Sequence, residues 1–303
     1  RSHRVVDCEN CILQPPIFAD IVKIFRKFII KNGITVYDSE KHTGLLRHIY
    51  LRLAEATGEV MVCAVINGED LPHKNELIEK LTEIPSVKSI VLNINRDRTN
   101  VILGKECVTV WGNDCIYDVL CGVKVRLSPL SFYQVNHDMA QQLYEKAAEY
   151  ACLSGKETVL DMYCGTGTIG LSMAKKAKRI IGAEIVPEAV LDAKRNALEN
   201  GIENAEFICA DAGEAAQELS SRGIKPDVVL LDPPRKGCSE MLLAEIVKMS
   251  PERIVYVSCD PSTLARDCFR LKDLGYETKR LAAADLFPRT VHVESVALLT
   301  KQK

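Results

Sequence analysis

An excess of charge of either sign is missing from this chain: 39 Lys and Arg stand against 41 Asp and Glu, a net charge of −2 over 303 residues. That removes the simplest basis for nucleic-acid binding, a basic surface spread over the whole molecule. Aromatic residues are few, at 6 % with a single Trp. No apolar run approaches the ~20 residues that a membrane span needs, so no membrane partner is expected. Internal repeats, low-complexity linkers and an N-terminal apolar signal core are likewise missing. Hydrophobic residues at 47 % and charged residues at 26 % exclude disorder, collagen-like repeats and a coiled coil. The chain opens on Arg-Ser-His-Arg without an initiator Met, so a fragment of a longer protein is expected.

Cysteine, by contrast, is plentiful. Twelve residues stand at 8, 11, 63, 107, 115, 121, 152, 164, 209, 238, 259 and 268, and only Cys8 and Cys11 have the spacing of a metal or redox pair. The others are scattered, many within apolar runs such as 59–66 and 205–210. That pattern fits reduced, buried thiols in a cytoplasmic protein better than a disulfide framework.

The second half alternates strand and helix patterns. Strands are expected at 158–163, 179–185, 205–211, 227–232, 253–258, 276–285 and 292–300. The early ones are continuous apolar runs, as in parallel strands buried on both faces. Helices are expected at 168–177, 187–200, 240–249 and 262–274, the second opening on Pro187 and stopping before Gly201. The short stretch 286–291 leaves no room for a helix, so the last two strands form an antiparallel hairpin. The fold class is therefore α/β: five parallel strands and a closing hairpin, the plan of the seven-stranded, Rossmann-like class I methyltransferase domain. A nicotinamide-binding Rossmann domain would end on another parallel strand.

The first half reads differently. Strand patterns at 44–56, 59–67, 87–95, 100–112 and 116–127, with helical patterns at 20–31 and 74–83, make a small α+β central domain. Residues 130–153 form a bridge and a helix with Met139, Leu143, Ala147 and Ala151 on one face. The expected division is 1–127 for the central domain and 128–303 for the α/β domain.

Asp161-Met-Tyr-Cys-Gly165-Thr-Gly167-Thr-Ile-Gly170 stands where the first strand of the second half turns into its helix. Glycines there let the backbone turn sharply and approach a ligand closely. A tight turn with no ligand is the alternative. Glu184 ends the next strand about 20 residues on, where an acid accepts hydrogen bonds from ribose hydroxyls. NAD and S-adenosylmethionine both carry such a ribose. Asp211 ends the third strand and Asp232-Pro-Pro-Arg235-Lys-Gly237 the fourth. Each carboxyl end thus carries a polar group where ligands bind in open α/β sheets.

Ser258-Cys259-Asp260-Pro261 follows the fifth strand. Cys259 lies in a loop at the same crevice, beside a polar Ser and an Asp-Pro turn; the alternative is an inert buried thiol. Glu294, in Thr290-Val-His-Val-Glu-Ser-Val-Ala, is a carboxylate among apolar neighbours, costly unless paired or functional. The alternative is a strand-edge Glu facing solvent. Asp285-Leu-Phe-Pro-Arg289 precedes it as a candidate site loop.

Several motifs together carry a family resemblance: Cys8-x-x-Cys11 before an amphipathic helix, Gly44-Leu-Leu-Arg-His48, Ser131-Phe-Tyr-Gln-Val-Asn136, the glycine loop, 232–237, 258–261 and His292-Val-Glu-Ser295. Over nearly its whole length the chain resembles the S-adenosylmethionine-dependent RNA (uracil-C5) methyltransferases, most closely the bacterial 23S ribosomal RNA type. The resemblance implies Cys259 as nucleophile and Glu294 as general base. It implies cofactor contacts from Gln134, Tyr163, Gly165, Gly167, Thr168, Glu184, Asp211 and Asp232, with Gln134 and Asp232 also facing the uracil. Phe132 is a candidate to stack on the extruded base, and Arg235, Lys236 and Arg289 are candidate phosphate contacts. The implied reaction is thiolate addition at uracil C6, methyl transfer to C5 and base-assisted elimination, with S-adenosyl-L-homocysteine as by-product.

RNA is the implied partner of a monomeric enzyme, ribosomal RNA first and transfer RNA as the alternative. An amino-group methyltransferase using Asp-Pro-Pro, or an RNA-binding scaffold with a vestigial site, are further alternatives. Many members also carry an N-terminal oligonucleotide-binding barrel and a 4Fe–4S cluster held by four cysteines, the fourth at the position of Cys11. No barrel is visible in this sequence, and one cysteine, or two with Cys8, cannot complete the four ligands. The expectation is a truncated chain with Cys11 as an orphaned cluster ligand, the cluster belonging to the full-length protein.

Overall fold

Ile21, Phe25 and Phe28 recur at helical spacing and lie buried along one side of α1 (Pro16–Asn32), which Gly33 ends in a left-handed cap. The computed structural model describes Cys8 and residues 11–302; the opening tetrapeptide and the two residues between Cys8 and Cys11 lie outside the described residues. The chain divides into two units, 1–118 with 127–130, and 119–126 with 131–303.

In the first unit, β1 (Leu46–Leu53), β2 (Val60–Ile66), β3 (Val87–Ile94) and β4 (Glu106–Gly112) form a sheet in that order. β2 and β3 are parallel, and α2 (Lys74–Thr82) makes the crossover that such a pair requires. All seven residues of β2 are buried. β4 begins at Glu106 and not at 100, because two buried amides fold the preceding residues into a loop. Asn95 donates to the carbonyls of Val101 and Ile102, and Asn93 to that of Gly104. Arg47, from the 44–48 motif, donates to the carbonyls of Asn95, Asp97 and Thr99 and stacks on Tyr37. It is a loop clamp.

The stretch 116–127 is a hairpin and not one strand: β5 (Ile116–Leu120) and β6 (Val123–Leu127) join through Cys121 and Gly122, both at positive φ, as a tight two-residue turn demands. Residues 119–126 belong to the second unit. There Arg126 donates its backbone N–H to Asn196 and forms a buried ion pair with Asp192 at 3.2 Å, both on a helix introduced below.

The second unit continues with α3 (His137–Ala151), β7 (Thr158–Met162), α4 (Thr168–Met173), β8 (Arg179–Glu184), α5 (Pro187–Glu199), β9 (Ala205–Cys209), α6 (Ala212–Ser221), β10 (Val228–Leu231), α7 (Glu240–Met249), β11 (Arg253–Ser258), α8 (Pro261–Asp273), β12 (Tyr276–Ala284) and β13 (Glu294–Lys301). The sheet order is β12-β13-β11-β10-β7-β8-β9, with β9, β8, β7, β10 and β11 parallel and β13 antiparallel to both its neighbours. Five parallel strands closed by a hairpin is the arrangement of class I methyltransferases. Leu160, Ile181, Val229, Tyr256 and Ala297 pack with α6, α7 and α8. The alternate residues Val159, Ile180, Val228 and Val255 are buried as well, so both faces of the sheet are covered. Strand order reverses between β7 and β10, and such a reversal opens a crevice at the carboxyl ends.

Two sequence expectations fail here. Helix α6 lies where none was expected: the third strand stops at Cys209, and Asp211 caps a helix whose buried Ala212, Ala215, Ala216 and Leu219 form its inner face. The thiols are also less buried than expected. Only Cys63, Cys115, Cys164 and Cys238 are buried, while Cys152 and Cys209 are exposed. Cys209 is the final residue of edge strand β9, where an apolar neighbourhood in sequence does not bring cover on both faces.

Candidate active site

Arg253 pairs with Thr300, and Ser258 with Ser295, along the antiparallel ladder of β11 and β13. Cys259 directly follows this last pair on one strand and Glu294 directly precedes it on the other, so both stand at the crevice end of the sheet, where the Glu294 charge acts on the Cys259 thiol. Glu294 is 4 % exposed, so the solvent-facing alternative does not hold. Cys259 is half-buried and so remains accessible. The chain leaves β11 sharply at this point because Asp260 caps α8, its Oδ1 accepting from the N–H groups of Ser262 and Thr263.

Four groups act on one another here. Burial raises the Cys259 thiol, the charges of Glu294 and Asp232 raise it further, and Arg235 opposes them. Burial raises Glu294, and again Arg235 opposes. Asp232, just past β10 and recessed in the crevice, is pushed up to about 8 by burial and then by the charges of Glu294 and Asp161. Arg235 also approaches both ring nitrogens of His292 at 3.4 Å. The His292 ring in turn stands edge-on to Phe287. The sequence offers Arg235 as a phosphate contact; the structure shows its charge acting on Cys259 and Glu294.

The segment 131–136 closes one side. Phe132 is 75 % exposed, open for stacking, and Gln134 hydrogen-bonds Tyr144, a buried residue of α3. Burial pushes the Tyr144 hydroxyl well above its usual range, and the charges of Asp232 and Glu294 add to this. Asn136 serves twice: Oδ1 caps α3 by accepting from Met139 N, and Nδ2 donates to the carbonyl of Leu286 at 3.1 Å. The segment with Phe132 and Gln134 is thereby clipped to loop 285–293, which leads into Glu294. Arg289 in that loop sits at φ 66.

The other side is the glycine loop. Tyr163, Gly165 and Gly167 wind through positive φ. A Cβ at Gly170 would stand 2.6 Å from Asp161 Oδ2, which accepts from Gly170 N at 3.0 Å. Burial, with the Glu184 charge adding, raises Asp161 to about 7 against that N–H, and its Oδ1 is buried without a partner. Glu184 accepts from Gly165 N at 3.1 Å and Val186 N at 2.9 Å; each oxygen keeps a second lone pair for a hydroxyl. Asp211 is exposed and bonds Gly213 N through Oδ1 alone. Thr168 is buried, its hydroxyl 3.1 Å from that of Thr166. The Tyr163 hydroxyl is engaged with the Cys238 thiol. Ile185, 60 % exposed just past Glu184, offers an apolar surface for a planar ring. An acid for ribose, a glycine-lined loop and an orphaned buried carboxylate oxygen fit the adenosyl part of S-adenosylmethionine.

Tyr144, Asn136, Asp161, Ile185 and the pairing of His292 with Arg235 are not among the residues that the sequence singles out. Asp161, Asn136 and His292 carry a signal there, by standing inside motifs, and Arg235 is named there only as a phosphate contact. Cys11 is half-buried and Cys8 exposed, and among the described residues no three His, Cys, Asp or Glu side chains are grouped to hold a metal ion. These two thiols do not fit the four-cysteine ligation of a 4Fe–4S cluster. Among the described residues no helix is long and apolar enough to cross a membrane.

Residues 122–302 match the family model described as tRNA (Uracil-5-)-methyltransferase. A protein of Clostridium tetani named "Uncharacterized RNA methyltransferase" is 48 % identical over 301 residues, covering 99 % of this chain and 65 % of the relative. One of Halalkalibacterium halodurans with a similar name is 49 % identical over 300 residues, covering 99 % and 66 %. The chain thus spans about two thirds of the length of these relatives. Among solved structures, the Pyrococcus abyssi tRNA (uracil-54, C5)-methyltransferase in complex with S-adenosyl-L-homocysteine superposes with a TM-score of 0.83 at 32 % identity, covering 98 % of this chain and 70 % of that one.

Proposed function

This chain belongs to the tRNA (uracil-5-)-methyltransferase family, and from that premise we propose that it methylates a uridine of RNA at C5 through a covalent adduct on Cys259. The observation that carries the reading is that Cys259 and Glu294 flank the Ser258–Ser295 end of the β11–β13 ladder, with the Glu294 charge acting on the thiol. Uracil C5 is too weak a nucleophile unaided. The Cys259 thiolate adds to C6, and the C5–C6 electron pair moves toward C5 and the O4 carbonyl. C5 then forms a bond to the methyl group that S-adenosylmethionine supplies, as the sulfur–methyl bond breaks. Glu294 removes the C5 proton, the C5–C6 double bond re-forms and the Cys259 sulfur leaves as thiolate.

The electrostatics of Glu294, Asp232 and Arg235 support their roles, while burial and the neighbouring carboxylates raise the Cys259 thiol. A buried Glu294 with a raised pKa is a stronger base than an ordinary carboxylate. Asp232, protonated at neutral pH, donates a hydrogen bond to a uracil carbonyl as negative charge gathers there. Arg235 favours the ionised forms of Cys259 and Glu294. Glu184 binds the ribose, Gly165 and Gly167 admit the cofactor backbone-close, and Gln134 orients the base. Phe132 stacks on it after it leaves the RNA helix.

The RNA we assign first is 23S ribosomal RNA, which the motif set most resembles. Transfer RNA is the second reading, favoured by the likeness to the Pyrococcus enzyme. Incubation with methyl-labelled S-adenosylmethionine and unmodified ribosomal or transfer RNA, followed by nucleoside analysis, tests both. Label in 5-methyluridine from ribosomal RNA is the expected result. Label only in transfer RNA corrects the target, and label in a methylated amino group, or none, overturns the reaction.

A further inference from the structure

Helix α8 anchors two loops of the site that no motif joins. Its N-terminus receives the nucleophile loop through the Asp260 cap. Its middle receives the loop after β10. Asp267, 0 % exposed, accepts at Oδ2 from Cys238 N at 2.8 Å and from the Tyr256 hydroxyl at 2.7 Å. At Oδ1 it accepts from Arg266 Nε at 2.9 Å and Arg270 Nη1 at 3.3 Å. Arg266 also reaches the Lys236 carbonyl at 2.8 Å. Gly237, at φ 73, brings the loop so close that a Cβ there would stand 2.5 Å from Asp267 Oδ2. Burial alone would raise this carboxyl, but Arg266, the Cys238 N–H and the Tyr256 hydroxyl hold it below the usual range.

A buried ion cluster is a poor way to gain stability, since apolar packing of the same volume serves as well or better. What it does supply is fixed geometry. Arg235 lies one residue from the carbonyl that Arg266 grips and three from the N–H that Asp267 grips. We propose that Asp267 is a positioning residue: it locks loop 233–238 onto α8 and so fixes the Arg235 guanidinium beside Cys259 and Glu294. The catalytic meaning rests on Cys259 being the nucleophile, whereas the placement of Arg235 does not.

Iodoacetamide labelling, resolved by peptide mass spectrometry, follows each thiol separately, with exposed Cys152 and Cys209 as internal references. R235Q removes the cation and slows Cys259 labelling near neutral pH by about threefold or more, as a rise of roughly 0.5 in the thiol pKa would. D267N disturbs the clamp and slows Cys259 in the same direction, leaving the reference thiols unchanged. R266Q, at a partly exposed side chain, removes the tie to Lys236 and carries the test if D267N does not fold; it too slows Cys259. The D267N/R235Q double variant is no slower than R235Q. Wild-type Cys259 labelling in R266Q or in folded D267N, or a double variant slower than R235Q by the full D267N factor, overturns the proposal. Methylation persisting in C259A would instead overturn the nucleophile reading and leave the clamp standing.

Discussion

Cys259 directly follows, and Glu294 directly precedes, the Ser258–Ser295 pair that ends the β11–β13 ladder, and the charge of Glu294 acts on the Cys259 thiol. The antiparallel strand is what makes this meeting possible. A parallel neighbour of β11 would bring its own carboxyl end to the crevice. β13 brings its first residue, fixed by the ladder and buried, so a base is held beside the loop that carries the nucleophile.

The first prediction separates the two. C259A removes both methyl transfer and the covalent adduct while cofactor binding persists. E294Q still forms the adduct but resolves it slowly, lowering turnover by about 10²–10⁴-fold, the usual worth of a general base. A denaturing gel of enzyme with substrate RNA reads the accumulated adduct. Wild-type turnover in E294Q would place the base elsewhere.

Arg235 is expected to set the acid limb of the pH profile. It opposes the upward displacement of both the Cys259 and the Glu294 pKa. R235Q therefore moves the rise of kcat/KM to higher pH and recovers in alkali. At neutral pH it loses roughly tenfold for each pH unit by which that rise has moved. An equal loss at every pH would point to RNA binding instead.

Asp232 ties stability to pH. Its folded-state value of about 8 exceeds the ordinary 3.8, so between these values the folded protein holds a proton that the unfolded chain has lost. That contribution is complete below the lower value and is lost as pH rises through the upper one. D232N removes the dependence. It should be the more stable protein above pH 8, by on the order of 1–3 kcal/mol, and gain nothing at the acid end. Urea unfolding at acid and alkaline pH checks this; a constant difference would contradict it.

Asn136 distinguishes a cap from a clip. N136D keeps the acceptor for Met139 N but faces the Leu286 carbonyl with a second oxygen. Its stability should stay near wild type while KM for RNA rises severalfold. N136A loses the cap as well, about 1 kcal/mol. Thermal melts and steady-state kinetics of both variants decide; equal KM values for N136D and wild type would remove the clip.

The sheet was legible because its central strands are apolar runs punctuated by loops of polar residues. Cys259 and Glu294 were legible as residue types out of place among their neighbours. Their proximity was not, since it depends on where β13 starts against the end of β11. Helix α6 was hidden because the sequence reads Asp211 as the polar end of a strand, whereas the strand stops at Cys209 and Asp211 caps the helix. Asp267 reads in sequence as the polar side of an amphipathic helix; only the fold brings four donors to it. Tyr144 looks like core, and its tie to Gln134 crosses segments that share no pattern.

The most direct test traps the adduct. RNA carrying 5-fluorouridine at the target position, incubated with the enzyme and S-adenosylmethionine, stalls after methyl transfer because fluorine cannot leave as a proton does. Intact-mass and peptide mass spectrometry should then find one methylated nucleotide adduct, on Cys259 among the twelve cysteines. No adduct, an adduct on another cysteine, or undiminished methylation of ordinary RNA by C259A would contradict the account.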